Sequence, residues 1–404
     1  MRRSCMDEDF KELFCFFSDV EDKRVLGRCK HQLIDVLVIA ISAVLCGAQS
    51  FVELEEFGKQ RIDFFKKFLN SIEEIPSHDT FARVFSIINP DQLEDAFYKW
   101  VQSIIDVKNC GYKRIMLDGK SVKGTKRSFA QGKGILHLVS VYCSELGLVL
   151  SQKQAKSTGS GETEASKELL KVLDLKGALV SVDAGLATHA ITKCIREQCG
   201  QYIVPIKKNQ RPSLKEIEGY FNNKQKKTNK CIKKEKSHGR LEQRECLIGI
   251  VNEKNFTANF KKQWLDVKTV IEIKRRREQK DKSYVAVSTD NKRRHSYTRN
   301  KRKVIIKKET VYYITSKMMS AKQALMHARK HWEIENKLHW QLDVMFLEDA
   351  WRVRQKQTAR NLSVIRKIGF NLITKTKDKG SYRVKMKRAA WNTDYLEKVI
   401  FGQF

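Results

Sequence analysis

The sequence lacks the segments that carry a protein into or across a membrane. Spanning a bilayer takes about 18 or more consecutive apolar residues, and the longest apolar run, Leu33 to Ala48, contains Asp35 and is typical of a buried helix. The first residues, Met1 to Asp9, have no apolar core of the kind found in signal peptides. These two absences predict a cytoplasmic protein.

Paired cysteines are also missing. The chain contains 10 cysteines, and none of them forms a Cys-x-x-Cys pair with another. This spacing speaks against a zinc ribbon and against a dithiol redox motif. We therefore expect reduced thiols in a reducing compartment.

Acidic residues are too few to balance the basic ones. The 404 residues include 79 Lys and Arg against 47 Asp and Glu, a formal net charge of +32. A surplus of this size predicts a polyanionic partner, and nucleic acid is the first candidate because its phosphates attract such a field. An anionic membrane surface is the alternative, which the lack of a spanning segment disfavours. The length allows two or three domains.

Residues 1–108 have a helical pattern. The run from Leu33 to Cys46 is apolar nearly all round, which predicts a core helix that ends near Gly47. Ser77 and Asn89 are placed to cap two further helices. The sequence leaves open whether this all-α domain binds DNA ends or serves as a helical cap.

In residues 109–221 the spacing of apolar residues changes from that of helices to a mixture of strands and helices. The predicted order is strand, strand, strand, helix, strand, helix, strand, helix. Three opening strands suit an antiparallel meander, and the later alternation suits parallel βαβ units. We predict an α/β fold with a ribonuclease H-like mixed sheet and helices on both faces, in which the fourth strand lies beside the first. The predicted elements are strands 114–118, 135–142, 148–152, 178–182 and 202–206, and helices 163–173, 187–198 and 212–221.

Residues 222–311 are predicted to form an inserted, basic, β-rich subdomain with strands at 244–251, 268–274, 283–288 and 303–307. Basic residues dominate its second half: Arg275, Arg276, Arg277, Lys292, Arg293, Arg294, Arg299, Lys301, Arg302 and Lys303. Contact with the DNA backbone is the favoured interpretation. A solvated or disordered lysine-rich loop is the alternative. Residues 312–404 are predicted to return to the catalytic domain, with a strand at 311–315 and one helix from Ser320 to about Val344.

Three carboxylates stand out. Asp118 and Asp183 each follow an apolar strand, and Glu335 lies on the polar side of the helix from Ser320. Two aspartates at strand ends and one helical glutamate are what a site for two divalent metal ions requires, because hard cations prefer carboxylate oxygens. Separately, Asp118-Gly119 could mark an ordinary hairpin turn, and Glu335 could simply be solvated. A zinc site of His331, Glu335 and His339 is a weaker alternative, since the H-E-x-x-H order is absent.

One block of sequence is specific enough to indicate a family. Residues 331–344, followed by Phe346, Glu348 and Asp349, resemble the HWxIENxLHWxLDV signature of the DDE transposases of bacterial insertion sequences, in the branch of the H-repeat-associated proteins. Further similar segments are Asp118-Gly119-Lys120, Asp183-Ala184, residues 312–316 and residues 238–244, and, in the helical part, residues 43–48 and 75–81. Departures from the family pattern follow Asp183 and precede the helix at 163, and none removes a carboxylate.

The resemblance implies a DNA transposase that uses Asp118, Asp183 and Glu335 as catalytic residues and as ligands of two Mg²⁺ ions, with Mn²⁺ as a possible substitute. It implies terminal inverted repeats and target DNA as partners, a homodimer on DNA, and a bacterial, nucleoid-associated location. An inactive relative that only binds DNA is one alternative. A ribonuclease H-like nuclease or resolvase is another, and a tyrosine recombinase is disfavoured because the proposed site needs metal.

Residues predicted to contact DNA lie near the carboxylates or in the basic subdomain. They are Lys120, Lys123, Lys126, Arg127, Lys207, Lys208, Arg211, His238, Arg240, Arg329, Trp332 and His339. Trp332 and Trp340 could stack on an extruded base, although tryptophan on a helix more often belongs to the core.

Overall fold

The computed structural model of the protein describes residues 15–69, 72–107, 113–126, 134–156, 159–223, 229–237, 240–280, 304–353 and 355–402. The chain divides into two compact units. Unit 1 comprises Met1–Gly200 and His331–Phe404, and unit 2 comprises Gln201–Lys330. The domain boundaries predicted near 108, 221 and 311 stay predictions.

Unit 1 begins with the predicted helical region. Its helices are α1 (Leu33–Leu45), α2 (Phe51–Gln60), α3 (Ile62–Phe65), α4 (His78–Ile87) and α5 (Pro90–Val107). Nearly every residue of α1 is buried, which explains its apolar composition on all sides. The Ser77 hydroxyl accepts the Thr80 N–H at the start of α4, as predicted for a helix cap. In the described ranges, no helix has both the length and the apolarity to cross a bilayer.

The sheet of unit 1 has the strand order predicted from sequence. Its strands are β1 (Arg114–Val122), β2 (Leu136–Cys143), β3 (Leu148–Ala155) and β4 (Leu179–Val182), and helices α6 (Ser160–Lys171) and α7 (His189–Glu197) lie on either side of β4 in the chain. The order is β3-β2-β1-β4, with β1 antiparallel to β2 and parallel to β4. The ribonuclease H-like arrangement is confirmed.

Strand β1 is longer than predicted, and the turn expected after Asp118 is wrong. Gly119 pairs with Val139 and the strand continues to Val122. The glycine is needed for space rather than for a turn, because a Cβ atom at position 119 would lie 3.1 Å from Oε1 of Glu162. A close approach of this kind is a common reason for glycine inside a strand.

Unit 2 contains five further strands. Its elements are β5 (Gln201–Ile206), α8 (Arg211–Asn222), β6 (Asn229–Ser237), β7 (Arg240–Ile250), α9 (Ala258–Gln263), β8 (Thr269–Lys280), β9 (Val304–Thr315) and α10 (Ala321–Lys330). The strand order is β5-β9-β8-β7-β6, with antiparallel neighbours throughout. Strands predicted separately at 303–307 and 311–315 are one strand, β9. The strand predicted at 283–288 lies outside the described residues.

Strand β6 was not predicted, because four of its nine residues are lysine or glutamate side by side, from Lys233 to Lys236, and such residues are depleted in strands. Its pairing with β7 along its whole length supplies the strand conformation instead.

The C-terminal part of unit 1 begins after residue 330. The single helix predicted from Ser320 to Val344 is wrong: helix α10 ends at Lys330, residues Ile334–His339 form a π-helix, and α11 covers Trp340–Val344. The chain continues with α12 (Lys356–Lys375), α13 (Tyr382–Trp391) and α14 (Thr393–Phe401). Helix α12 is buried along most of its length.

A buried ion pair ties α12 to the N-terminal helices. Nε of Arg360 on α12 donates to Oε1 of Glu94 on α5 at 2.7 Å, and both side chains are buried. Gln152 of β3 also donates to the same carboxylate oxygen. Burial raises the pKa of Glu94, and Arg360 opposes that shift.

We expect Arg360→Met to destabilise the protein by about 3–5 kcal/mol, because it leaves Glu94 buried without its main counter-charge. Urea unfolding followed by circular dichroism measures the effect. The double variant Arg360→Met with Glu94→Leu should recover most of the loss. A double variant that is no more stable than Arg360→Met would contradict this interpretation.

Candidate active site

The two aspartates predicted to act together are neighbours in the sheet. Leu117 of β1 is paired with Val182 of β4 in parallel register, so the next residues, Asp118 within β1 and Asp183 directly after β4, lie side by side. Asp118 Oδ1 accepts the N–H of Gly119 at 2.9 Å, and Asp183 Oδ1 accepts the N–H of Leu186 at 2.9 Å. Parallel pairing thus brings together residues 65 positions apart in the sequence.

The π-helix Ile334–His339 supplies the third carboxylate, Glu335. Just before it, His331 Nδ1 lies 3.0 Å from the Ser181 hydroxyl of β4, and the Ser144 hydroxyl donates to Glu333 Oε2 at 2.6 Å. These contacts attach the start of the segment to the sheet. The π-helix has one residue more per turn than an α-helix would hold, a local irregularity that is frequent at functional sites.

The three carboxylates influence one another electrostatically. Burial, followed by the negative charges of Asp183 and Glu335, raises the pKa of Asp118 to about 7. Partial desolvation raises the pKa of Glu335, with Asp183 as the second cause. Like charges disfavour ionisation in this way only when they are close. Asp118, Asp183 and Glu335 therefore form one acidic cluster within unit 1.

His339 faces the cluster as a neutral group. Its Nδ1 atom lies 3.4 Å from Asp118 Oδ2, and its side chain is largely buried. Burial, with the nearby Lys120 and Lys367, lowers the pKa of His339 to about 3, so the ring adds no positive charge at neutral pH. It therefore does not neutralise Asp118.

The residues fit divalent metal ions by their chemistry. Three carboxylates offer hard oxygen donors, and Asp118 has other negative charges near it, from Asp183, Glu335 and Glu162. Within the described part of the chain, no group of three or more His, Cys, Asp or Glu side chains is arranged to hold a metal ion as it stands. This finding applies to the three carboxylates and equally to the alternative zinc set of His331, Glu335 and His339.

Sequence reasoning missed a fourth carboxylate, Glu162, in the first turn of α6. Its negative charge also raises the pKa of Asp118, and its carboxylate lies against Gly119. In the sequence, Gly119 is the only indication of this contact. A glycine after an apolar strand suggests a turn, whereas here it leaves room for the Glu162 carboxylate.

The basic residues that follow Asp118 have different surroundings. Lys120 is largely buried, and its ammonium binds Asp343 and Glu348. Lys123 is 77% exposed and lies 3.3 Å from Asp349 Oδ2, and Lys126 is exposed. Arg127 lies outside the described residues. The surroundings of Lys120 favour a structural role over the predicted phosphate contact.

Six of the predicted DNA contacts, both those expected near the carboxylates and those of the basic subdomain, belong to unit 2: Lys207, Lys208, Arg211, His238, Arg240 and Arg329. Lys207, Lys208, Arg211 and Arg240 are exposed, while Arg329 Nη1 lies 2.8 Å from Glu235 Oε1. His238 lies outside the described residues. In unit 1, Trp332 and Trp340 are about half exposed, at 52% and 51%, so the more usual core position of a helical tryptophan does not apply to them.

Comparison with known proteins agrees with this architecture. Residues 109–372 match the family model described as "Transposase DDE domain", and residues 14–101 match the model described as "DDE_Tnp_1-associated". "Putative transposase YncI" of Escherichia coli O157:H7 is 34% identical over 399 residues, covering 96% of this chain and 94% of that protein. "H repeat-associated putative transposase YhhI" of E. coli K12 is 30% identical over 399 residues, covering 98% and 99%.

One solved structure and one short protein are also similar to this chain. A piggyBac transposase in a synaptic complex with hairpin DNA aligns with 98% of this chain and 82% of that chain, at a TM-score of 0.41 and 12% sequence identity. "Inactive transposase YbfQ" of E. coli K12 is 37% identical over 78 residues, which cover 19% of this chain and 93% of that protein. The full-length matches, and the family model that spans well over half of the sequence, show the family. The chain belongs to the family of proteins with a transposase DDE domain.

Proposed function

We propose that this protein is a DNA transposase that binds the terminal inverted repeats of its own element, cleaves DNA and joins the freed ends to target DNA. The observation that carries the proposal is the cluster of Asp118, Asp183 and Glu335, built by the β1–β4 register and the π-helix. The high positive charge of the chain supports a nucleic-acid substrate. The membership in the transposase family supports the reaction class.

In this proposal, Asp118, Asp183 and Glu335 would hold two Mg²⁺ ions, for which Mn²⁺ could substitute. When bound, such ions supply an activated water or 3′-hydroxyl and stabilise the departing oxygen. The neutral His339 limits the positive charge that competes with the metal for Asp118. The exposed Lys123 and Lys126 bind phosphates of the DNA next to the carboxylates. Two ends must be paired, so a homodimer on DNA is part of the proposal.

We expect Asp118→Asn, Asp183→Asn and Glu335→Gln each to abolish cleavage of a DNA fragment that carries an element end, while DNA affinity stays within about twofold. Each substitution removes a negatively charged metal ligand and keeps the shape of the side chain. Cleavage with Mg²⁺ or Mn²⁺ is followed on sequencing gels, and affinity by fluorescence anisotropy without metal. A variant that retains normal cutting excludes its residue from the site. A wild-type protein that binds but does not cut would support the alternative of an inactive DNA-binding relative.

The sheet of unit 2 offers a specific DNA-binding surface. Lys234 of β6 is paired with Gln243, which is paired with Arg276, which is paired with Lys308 of β9. Cross-strand partners lie on one face of a sheet, so the three cations form a row, which we call the cationic row. Lys234, Arg276 and Lys308 are exposed. Arg276 lies 2.8 Å from Glu278, but an exposed pair of this kind is weak and a phosphate can replace it.

The adjacent row of the same strands lies on the opposite face and is internally neutralised. Arg244 binds Glu235 and Glu242 at 2.7 and 2.6 Å, and Arg275 binds Glu242 at 2.8 Å. These two arginines have carboxylate partners and are less exposed than those of the cationic row. The two faces therefore provide a matched comparison.

We expect the triple variant Lys234→Gln, Arg276→Gln and Lys308→Gln to bind DNA more weakly and to reduce the slope of log K against log salt by about three. Titrations at several salt concentrations measure both. The control, Arg244→Gln with Arg275→Gln, should lower the melting temperature and leave the salt slope nearly unchanged. An unchanged slope in the triple variant would remove the cationic row from the interface. Deleting residues 274–308 is a poorer test, because it removes parts of β8 and β9.

The raised pKa of Asp118 predicts a pH-dependent stability. The pKa is about 7 in the folded protein against an ordinary value of 3.8, so between these values the folded state binds more protons than the unfolded chain. The free energy of unfolding of the metal-free protein therefore contains a contribution that is complete below about pH 4 and is lost as the pH rises to about 7. Asp118→Asn cannot ionise and avoids this loss.

We expect the stability difference between Asp118→Asn and wild type to grow in favour of the variant from pH 4 to pH 7, by at most about 4 kcal/mol. Urea unfolding in chelator at several pH values measures it. The exposed Asp79→Asn is the control and should track wild type at every pH. Parallel curves for Asp118→Asn and wild type would show that neither burial nor the neighbouring carboxylates raise the pKa of Asp118 in the folded protein.

A further inference from the structure

The end of β1 is bound to the segment that follows the π-helix by a buried lysine. Nζ of Lys120 contacts the carboxylate of Asp343 and lies 2.7 Å from Oε2 of Glu348. The side chain of Lys120 is 12% exposed and that of Glu348 is 1% exposed. We call Lys120, Asp343 and Glu348 the clamp. The sequence signature contains all three residues, and the proposed chemistry uses none of them.

Glu348 is held in place from its other side as well. Its Oε1 atom accepts the Ser363 hydroxyl of α12 at 2.7 Å, and the same hydroxyl accepts from the fully buried Lys367 at 3.0 Å. Burial alone would raise the pKa of Glu348, but Lys120 and Lys367 hold it well below the ordinary value. The carboxylate is therefore a fixed anion inside the protein.

The positions of the clamp residues connect two of the catalytic carboxylates. Lys120 is two residues after Asp118, on the same face of β1, and Asp343 is eight residues after Glu335. A second attachment lies next to the clamp: the Lys123 N–H donates to Asp349 Oδ1 at 2.9 Å. The backbones also approach closely there, since a Cβ atom on Gly124 would lie 2.5 Å from the carbonyl oxygen of Trp351.

We propose that Lys120 is a positioning residue that fixes the separation of Asp118 and Glu335, and so the affinity of the acidic cluster for metal. The start of the glutamate segment is attached to the sheet through His331 and Glu333, and the clamp fixes its other end. To bind a DNA phosphate instead, Lys120 would have to leave the buried Glu348 without its direct ion-pair partner, which is strongly unfavourable. This inference rests on the proposed metal-dependent function of the cluster.

The test compares Lys120→Met with wild type in three measurements: cleavage at saturating DNA, DNA affinity without metal, and the rise in melting temperature on titration with Mn²⁺. We expect kcat to fall and the Mn²⁺ concentration at half-maximal stabilisation to rise, each by about 10- to 100-fold, as is typical for residues that orient metal ligands. DNA affinity should change by less than about twofold. Asp343→Asn leaves the Lys120–Glu348 pair in place and should give a smaller shift in the same direction.

Two controls separate the other roles. Lys123→Met removes an exposed cation three residues along and should weaken DNA binding while leaving the Mn²⁺ midpoint unchanged. Arg24→Met removes a comparably buried pair, Arg24–Asp22, and should lower the melting temperature without moving the Mn²⁺ midpoint. If Lys120→Met does not fold, Asp343→Asn with the same controls decides the question.

Weaker DNA binding by Lys120→Met with an unchanged Mn²⁺ midpoint would overturn the inference and make Lys120 a phosphate ligand. A midpoint that does not move in either clamp variant would also overturn it. If wild type binds Mn²⁺ and the clamp variants shift the midpoint, but no DNA is cut, the clamp stands and the proposed transposase activity falls. A wild-type protein that Mn²⁺ does not stabilise overturns both.

Discussion

Repulsion among Asp118, Asp183 and Glu335 has to be opposed by interactions elsewhere in the surrounding structure. Asp183 and Glu335 raise the pKa of Asp118, and Asp183 raises that of Glu335, so these carboxylates would move apart if their backbone allowed it. They stay together because each is fixed by ordinary fold interactions: a parallel strand pair for the aspartates, and side-chain contacts on both sides of the π-helix for the glutamate. Strand pairing and core packing in unit 1 offset the unfavourable electrostatic free energy of holding these like charges close together.

Basic residues divide between two tasks according to their exposure. Lys120, Arg360 and Lys367 are buried and paired with carboxylates or polar groups, and they organise the inside of unit 1. Lysines such as Lys234 and Lys308 are exposed and carry the charge that a phosphate backbone can meet. The number of basic residues alone overstates the cationic surface, because some of them are paired with carboxylates within the fold.

Sequence reasoning succeeded where local pattern and topology agree. Apolar runs ending in an acidic residue identified β1 and β4, and their order in the chain was enough to place Asp118 beside Asp183. It failed where tertiary contacts override propensity. The strand β6 owes its conformation to pairing with β7, Gly119 serves the approach of Glu162, and the burial of Lys120 depends on Glu348, which lies 228 positions away.

The interrupted helix was the hardest feature to foresee. Its residues have good helix propensity and a regular apolar stripe, Ile334, Leu338 and Leu342, so nothing in the local sequence indicates a change of period. The π-helix follows from the need to satisfy anchors on several strands at once, which is information that only the folded chain contains.

The π-helix also makes the length of this segment as important as its composition. A π-turn holds about one residue more than an α-turn, so the same six residues wound as an ordinary α-helix would turn the side chains beyond them by up to about 100° around the helix axis. A change in the length of this segment therefore alters the direction of the side chains from Trp340 onward relative to Glu335, unless the winding changes with it. In this segment, the number of residues between Ile334 and His339 therefore matters as much as their identity.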